Sequence, residues 1–386
     1  MVCQAEEVDP DRRRRATFLV VALVAAVLLG AAYVIDRDDD GVTASAGSST
    51  TATPDVEVPP SSSTSATAVP RERRALGNGN AITIAFAGDM NFEGPLRTRL
   101  DSDPTTAVGP FADVLRGADL AVGNLETAIA AGGTRADKQF AFRAPPTAIG
   151  ALRAAGFDVV SVANNHGLDY GPDGLQETLA AKRAQPDGFV IGAGADDEEA
   201  FAPFTAVVRG QRVAVIAATQ VLDSNLIQAW TATPTHGGLA SAKRVDRLLA
   251  EVREARASHD TVVVFLHWGV EKSTCPSADQ VALAEALADA GADLIIGGHA
   301  HRVMGGGRLG GAFVGYGLGN FLFKENSVEG ARTGVLRVTI TGRRVDAYEW
   351  VPGRISGSVP RPLTGAEAAT AVQQWNALRP CTGLSL

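Results

Sequence analysis

At 386 residues and 45% hydrophobic content the chain can bury a large core. With its first eighty or so residues set aside, one large α/β domain or two closely packed ones remain. The formal net charge of −8 excludes a general nucleic-acid binder, which needs a basic face to neutralise phosphates.

Arg12 to Arg15 precede an uncharged apolar stretch from Ala16 to Ile35, which ends at Asp36-Arg37-Asp38-Asp39-Asp40. A stretch of that length, at about 1.5 Å rise per residue, spans roughly 30 Å of hydrocarbon, and arginines before it favour a cytoplasmic N-terminus. The competing reading is a cleaved signal peptide, but its apolar region is normally about 7–15 residues, and Ala44-Ser45-Ala46 lies beyond the acidic cluster. No cysteine follows the apolar run, which argues against a lipoprotein. Residues 41–80 are rich in Ser, Thr, Ala, Pro and Gly and hold no aromatic residue, so they cannot bury enough to offset their ordering entropy. The expected layout is a cytoplasmic tail over 1–15, a transmembrane helix over 16–35, a flexible linker over 36–80 and an extracytoplasmic domain over 81–386. The expected location is the cell membrane, with a single pass. Cys3 then falls on the cytoplasmic side, leaving Cys275 and Cys381 as an even pair in an oxidising compartment, which favours a disulfide. Two unpaired thiols are the alternative, because Cα separation is not visible in a sequence.

From Ala81 onward, apolar strand-like runs alternate with amphipathic helical ones. Ile82 to Ala87 runs into Gly88-Asp89, and Asp119 to Val122 into Gly123-Asn124-Leu125-Glu126. Pro145 to Ala155 reads as a helix leading to a strand over Phe157 to Ala163, which stops at Asn164-Asn165-His166. Leu175 to Ala184 is helical before Phe189-Val190-Ile191; the following Gly192-Ala193-Gly194 lacks the third glycine of a dinucleotide fingerprint and reads as a loop. A long helical stretch from Ala242 to Ala257 precedes Thr261 to Leu266, which stops at His267-Trp268-Gly269. Another, Ser277 to Ala290, precedes Asp293 to Ile296, which stops at Gly297-Gly298-His299-Ala300-His301. Strands separated by helices of this length indicate βαβ units with helices on the faces of a sheet. After His301, Ala312 to Tyr316, Thr333 to Thr341 and Arg344 to Val351 are closely spaced and read as antiparallel strands. A last amphipathic helix covers about Gly365 to Leu378.

Four of the six histidines thus follow buried strands, where α/β proteins place their chemistry. Asp, Glu, Asn and neutral imidazole are metal ligands, so five strands delivering them to one rim point to a metal site. Taken singly the motifs are weak: Gly88-Asp89 occurs in any turn, Glu126 caps a segment as readily as it binds an ion, and a lone His267 is usually a satisfied core residue. Asn164-Asn165-His166 is more specific, because two amides and an imidazole after a buried strand are costly to fold unless something satisfies them. An Asn carbonyl can ligate a metal while the adjacent His faces substrate as an acid. His236, in a Thr/Pro/Gly loop, and His259, ending a polar helix, read as ordinary surface residues.

This set of motifs, in this order, resembles the CapA (poly-γ-glutamate capsule synthesis) family, itself similar to the calcineurin-like metallophosphoesterases. The carrying residues are Gly88-Asp89, Asn124-Leu125-Glu126, Phe142-Arg143-Ala144-Pro145-Pro146, Asn164-Asn165-His166, His267-Trp268-Gly269-Val270-Glu271, Gly298-His299-Ala300-His301 and Gly317-Leu318-Gly319-Asn320-Phe321. The resemblance implies an α/β fold, an αββα sandwich of metallophosphoesterase type, with one or two divalent ions (Mn, Fe or Zn) at the strand ends. It makes Asp89, Asn165, His267, His299 and His301 metal ligands, His166 the residue that protonates a leaving group, and Arg143 a clamp on the anionic substrate. Asn91 stands where the metallophosphoesterase pattern has a histidine. Asn124 stands where it has an aspartate bridging two metals, so either Glu126 substitutes or the site holds one ion. Asn164, Glu271 and Asn320 are further polar residues without a settled role. Two functions follow: a metal-dependent hydrolase or transferase on an extracellular phosphoester or anionic polymer, or a non-catalytic component that binds the polymer or its membrane-embedded synthase.

Overall fold

The structure is a computed structural model that describes residues 77–386. The expected cytoplasmic tail, membrane helix and almost all of the linker lie outside the described residues. Among the described residues no helix is long and apolar enough to cross a membrane.

Two sheets carry this mixed α/β fold. Their strands in chain order are β1 (Ile82–Met90), β2 (Leu120–Leu125), β3 (Val159–Ser161), β4 (Val190–Ile191), β5 (Phe204–Val208), β6 (Gln211–Thr219) and β7 (Thr261–Trp268). They continue with β8 (Leu294–His299), β9 (Gly306–Leu309), β10 (Ala312–Gly315), β11 (Asn320–Leu322), β12 (Arg332–Thr341), β13 (Arg344–Ser356) and β14 (Val359–Pro362). The first sheet has the order β14-β13-β12-β1-β2-β3-β4, with β11 also paired to β1, and the second has the order β9-β10-β8-β7-β6-β5. The main helices are α1 (Pro95–Ser102), α2 (Thr147–Ala154), α3 (Gly171–Arg183), α4 (Val245–Ser258), α5 (Ala278–Ala290) and α6 (Gly365–Asn376).

Side chains alternate across a strand, and that alternation builds four layers. Ile84, Phe86, Val122 and Val338 of the first sheet pack against Val215, Val263, Phe265 and Ile296 of the second in one buried cluster. Ala85, Ala121 and Val160 turn the other way, onto Leu152 of α2 and Leu179 of α3. Ala214, Val264 and Ile295 meet Leu248 of α4 and Leu287 of α5. Each large side chain buried in this way contributes about 1.5–3 kcal/mol, and truncating Phe86 or Phe265 to Ala, which also leaves a cavity between the sheets, would cost about 3–5 kcal/mol.

Local signals place the helices. Ser277 caps α5 reciprocally with Gln280, and Gly291 ends it at φ 113°, a left-handed conformation that costs a residue without Cβ little. Losing the Ser277 hydroxyl would cost about 1 kcal/mol. The helices expected at Pro145, Leu175, Ala242, Ser277 and Gly365 all form, each within a few residues of the expected bounds.

The strands add to the sequence reading in one place and correct it in three. Where the sequence left the assignment of strands to sheets open, the structure places β1, β2 and β3, which end in polar motifs, in the first sheet and β7 and β8 in the second. Gln211–Thr219, a buried nine-residue strand parallel to β7, is an addition to the expected strands. Ala312–Gly315 is antiparallel to β9 but parallel to β8, because the chain leaves β8 for the edge strand β9 and turns back in a hairpin to run between the two. Ala193–Gly194, expected as loop, forms a two-residue ladder with Gly238–Leu239.

Candidate metal centre

At the end of β1 the pairing with β2 shifts register between Ala87 and Asp89, which sets Asp89 beside Asn124 on one side and Asn320 of β11 on the other. A bulge of this kind re-aims a side chain, and it requires Gly88, since a Cβ there would run into the Gly319 carbonyl oxygen. Across the sandwich, β7 and β8 bring His267 beside Gly298 and Trp268 beside His299. Gly298 faces Asp89 so closely that a Cβ would fall against Asp89 Oδ1. The His299 amide donates to both Asp89 oxygens, at 3.2 and 3.0 Å. To do so His299 takes φ 90° and His301 φ 52°, both in the region that favours glycine. Such strain persists only where the surrounding structure imposes it, and it gathers at functional sites.

Glu126 sits at the centre. It is fully buried, and neither carboxylate oxygen has a hydrogen-bond partner among the described residues. Its Oε1 lies 3.6 Å from His267 Nε2, 3.8 Å from His301 Nε2 and 3.8 Å from His166 Nε2. Two groupings have ligand atoms within 4.8 Å of one another: Glu126 with His267 and His299, and Asp89 with Glu126 and His301. Glu126 belongs to both. An unsatisfied buried carboxylate facing imidazoles is costly to fold, and a divalent ion among them removes the cost. The donor set therefore fits a metal, with carboxylate and imidazole donors of the kind that suit Mn, Fe or Zn.

Asn124 is engaged elsewhere. Its Nδ2 donates to Asp89 Oδ1 at 2.8 Å and lies 3.0 Å from His267 Nδ1, while its Oδ1 accepts from Asn164 Nδ2 at 3.1 Å. With Nδ1 accepting, the His267 proton rests on Nε2, 2.7 Å from Asn165 Oδ1. His299 Nδ1 is 3.1 Å from the same Nε2. Burial pushes the His267 pKa well below the ordinary imidazole value, and burial followed by the charge of His301 lowers His299 to about 4, so both rings are neutral, and His267 must give up the proton on Nε2 before that nitrogen can hold an ion. Burial pushes Glu126 well above the usual carboxylate range in the metal-free protein. Burial opposes charge on His301 too, but the Glu126 and Asp89 carboxylates and a hydrogen bond to Asn320 push it up to about 10.

His166 approaches from the other side. Asn164 Oδ1 accepts from its backbone N–H at 3.0 Å, fixing the turn after β3. His166 Nδ1 lies 2.6 Å from Asp169 Oδ2, and because a carboxylate only accepts, Nδ1 carries the proton and Nε2 is left facing Glu126. Burial lowers the His166 pKa, partly offset by the hydrogen bond to Asp169. Lys138 Nζ bridges Asp169 Oδ1 at 3.0 Å and Asp223 Oδ2 at 3.3 Å, and donates to the Asn165 carbonyl at 2.5 Å. The Phe142 ring stacks on His166 with centroids 4.0 Å apart.

Asp89, Glu126, Asn165, His166, His267, His299 and His301 are thus brought together, with Asn124, Asn164 and Asn320 bonded around them. Arg143 is not among them. Its guanidinium lies 4.3 Å from the Tyr170 ring centroid and reaches the Gly132 carbonyl at 3.4 Å, contacts that tie it to the loops flanking His166. Asn91 closes a local turn onto the Glu93 amide, and Glu271 is exposed. Sequence reasoning missed Asp169 and Lys138. Asp169 stands three residues after His166, a spacing that a turn can bring together, whereas Lys138 lies in an irregular loop with no periodic signal. A concavity of about 570 Å³ lies elsewhere, against Glu285, Asp289 and Arg343, and holds none of these side chains.

Residues 83–325 match the family described as bacterial capsule synthesis protein PGA_cap. The capsule biosynthesis protein CapA of Bacillus anthracis is 32% identical over 237 residues, 60% of this chain and 56% of that protein. The PGA biosynthesis protein CapA of Bacillus subtilis (strain 168) is 26% identical over 288 residues, 74% of each. The chain therefore matches a little over half the length of the first of these relatives. Among solved structures, a hypothetical protein from Thermus thermophilus aligns with a TM-score of 0.45 at 19% identity, over 71% of this chain and all of that one. A 5'-nucleotidase from Candida albicans aligns with a TM-score of 0.40 at 10% identity, over 78% of this chain and 58% of that one. The family match covers well over half of the sequence and includes Asp89, Glu126, His166, His267, His299 and His301, and on it this chain belongs to the bacterial capsule synthesis protein family.

Proposed function

We propose that this protein is a metal-dependent hydrolase or transferase of the metallophosphoesterase kind, acting on an extracellular anionic polymer such as poly-γ-glutamate or on a phosphoester. The observation that carries the reading is Glu126, a buried carboxylate with no hydrogen-bond partner among the described residues and three imidazole Nε2 atoms within 3.8 Å. Asp89, Glu126, Asn165, His267, His299 and His301 would hold one or two ions, with Glu126 common to both groupings of ligand atoms. A divalent ion bound there polarises a scissile oxygen and acidifies a water. His166, oriented by Asp169, keeps a bare Nε2 that would take the proton released by the attacking water and pass it to the leaving group. Elemental analysis of full-length protein purified without chelators, followed by turnover on aryl phosphoesters and γ-glutamyl peptides, tests the reading. Metal with turnover supports it. Absence of metal, with no thermal shift on adding Mn²⁺ or Zn²⁺, would leave a polar substrate pocket and sink it.

The substitution of amides at Asn91 and Asn124 favours a second reading, a non-catalytic component that binds the polymer or its synthase subunits in the membrane. Metal without turnover on any of these substrates selects it. In both readings residues 16–35 anchor the protein, with the domain outside; the Cys275–Cys381 bond fits an oxidising compartment. Alkaline carbonate extraction should leave the intact chain in the membrane pellet, and a soluble product starting beyond Ile35 would reverse this assignment.

A further inference from the structure

On neighbouring antiparallel strands, residues directly opposite each other share a face, and charged pairs there are normally of opposite sign. Arg337 and Glu349 obey this rule across β12 and β13, with 3.6 Å between their charged atoms. Nearer the rim that holds Asp89 the rule is broken twice in succession. Arg332 of β12 stands opposite Arg354 of β13, and Arg354 stands opposite Arg361 of β14, the edge strand. Three arginines therefore run in a row across three strands, about 4.8 Å apart in the pairing direction. Glu329 pairs Arg332 at 3.1 Å, while Arg354 and Arg361 are exposed and have no ion pair among the described residues.

The row borders a groove between the first sheet and α6. Arg302, Arg332, Arg354, Trp350 and Trp375 line it. The two indoles are stacked, with centroids 5.8 Å apart. Arg302 donates to the carbonyl of His301 at 2.7 Å, so the groove begins one residue from the metal centre. Its helical wall is fixed, because Cys381, just past α6, is bonded to Cys275 next to Thr274 of the groove. The outer part, lined by Arg354 and by Ala366, Thr370 and Gln374 of α6, also carries Glu367, an acidic group facing the row from the helix.

We propose that this arginine row is a docking track for a linear polycarboxylate, leading the chain along the sheet edge to the metal centre. The assignment rests on the reading of that centre as acting on an anionic polymer. Like charges set opposite one another on a sheet destabilise it, and a ligand whose own charges repeat along a chain relieves the repulsion through several charge-assisted contacts at once. Single carboxylates would gain little from the row, since each meets only one exposed arginine.

The test uses the full-length chain and fluorescein-labelled poly-γ-glutamate, followed by anisotropy at low and high salt. The wild type should bind the polymer, more weakly as salt rises, and free glutamate at equal carboxylate concentration should not compete. R354Q/R361Q should weaken binding roughly tenfold or more, R354K/R361K should restore part of it, and R337Q, on the ordinary pair, should leave it unchanged. The thermal midpoint of R354Q/R361Q should stay level or rise, since repulsion is removed. Unchanged polymer binding by R354Q/R361Q, or a fall of its midpoint by several degrees, would overturn the track. Metal content, read on the same samples, separates the two ideas: wild-type protein that takes up metal and fails to bind polymer rejects the track alone, and polymer binding without metal rejects the metal centre alone.

Discussion

Asn320 Oδ1 lies 2.8 Å from His301 Nδ1, and Asp89 Oδ2 lies 3.3 Å from the same nitrogen. Two acceptors on one ring nitrogen place the proton there and turn Nε2 toward Glu126. Asn320 thereby orients a ligand it stands nineteen positions from in sequence, held in turn by its own bond to the Gly330 carbonyl at 3.1 Å.

Removing that orientation should weaken metal binding without removing a ligand. Asn320→Ala is expected to lower affinity for Mn²⁺ or Zn²⁺ by about 10–100-fold, as outer-shell losses do. His299→Ala should lower it at least as much, while His236→Ala and His259→Ala should change nothing. Competition against a metal-sensitive dye reads all four; equal affinity in Asn320→Ala and wild type would remove Asn320 from the site.

His301 gives the metal-free protein a defined pH dependence. Its pKa is pushed up to about 10 from the ordinary imidazole value of 6.5, so the folded state holds this proton more tightly than the unfolded chain. The resulting stabilisation is complete below about pH 6.5 and is lost as pH rises through about 10. In chelator, the difference in urea midpoint between wild type and His301→Gln should shrink across that window, and a constant difference would refute the assignment. Glu126 must lose its proton to bind an ion, so metal affinity should climb with pH as well.

The His166 pair makes a catalytic prediction distinct from a metal one. His166→Ala should lower turnover by about 10²–10⁴-fold, the usual range for a general acid, and leave metal content unchanged. Asp169→Asn, which keeps the shape but offers a weaker acceptor to Nδ1, should lower kcat with little change in KM. Metal loss in His166→Ala would show that this imidazole is a ligand instead.

Cys275 and Cys381 are bonded across 106 positions of sequence. In the loop-entropy account a bridge of that span contributes at most about 4–5 kcal/mol. Denaturation with and without reductant should show a loss up to that size, matched by Cys275→Ser. Coincident curves would mean that the C-terminal helix holds its place by packing alone.

The polar ends of β1, β2, β3, β7 and β8 were legible because each follows an apolar run long enough to be a buried strand, and those ends supply Asp89, Asn165, His166, His267, His299 and His301, the residues grouped around Glu126. Their division between two sheets was not legible from the runs themselves, since a parallel strand buried on both faces reads the same in either sheet. The surroundings of Arg143 were hidden for a related reason: only tertiary packing shows the ring of Tyr170 beneath its guanidinium. Lys138 gave no signal at all, because its position between Asp169 and Asp223 depends on two loops meeting. The arginine row was equally hidden, for it exists only once the register of β12, β13 and β14 is known.

The pairing of β1 carries a consequence for how the chain reaches this form. Asp89 lies on a strand whose neighbours are β2, thirty-odd residues on, and β12, which pairs Ala87 with Val335 and Ile82 with Ile340. Until residues 332–341 arrive, the central strand of the first sheet has an open edge, and an unpaired buried edge is a template for association with other chains. Pairing over such a separation is also slow, because loop closure precedes any gain from contact. Synthesis from the N-terminus therefore leaves the strand that bears Asp89 waiting for most of the polypeptide. Fragments ending before Arg332 are expected to aggregate, even though they contain every residue that meets at Glu126.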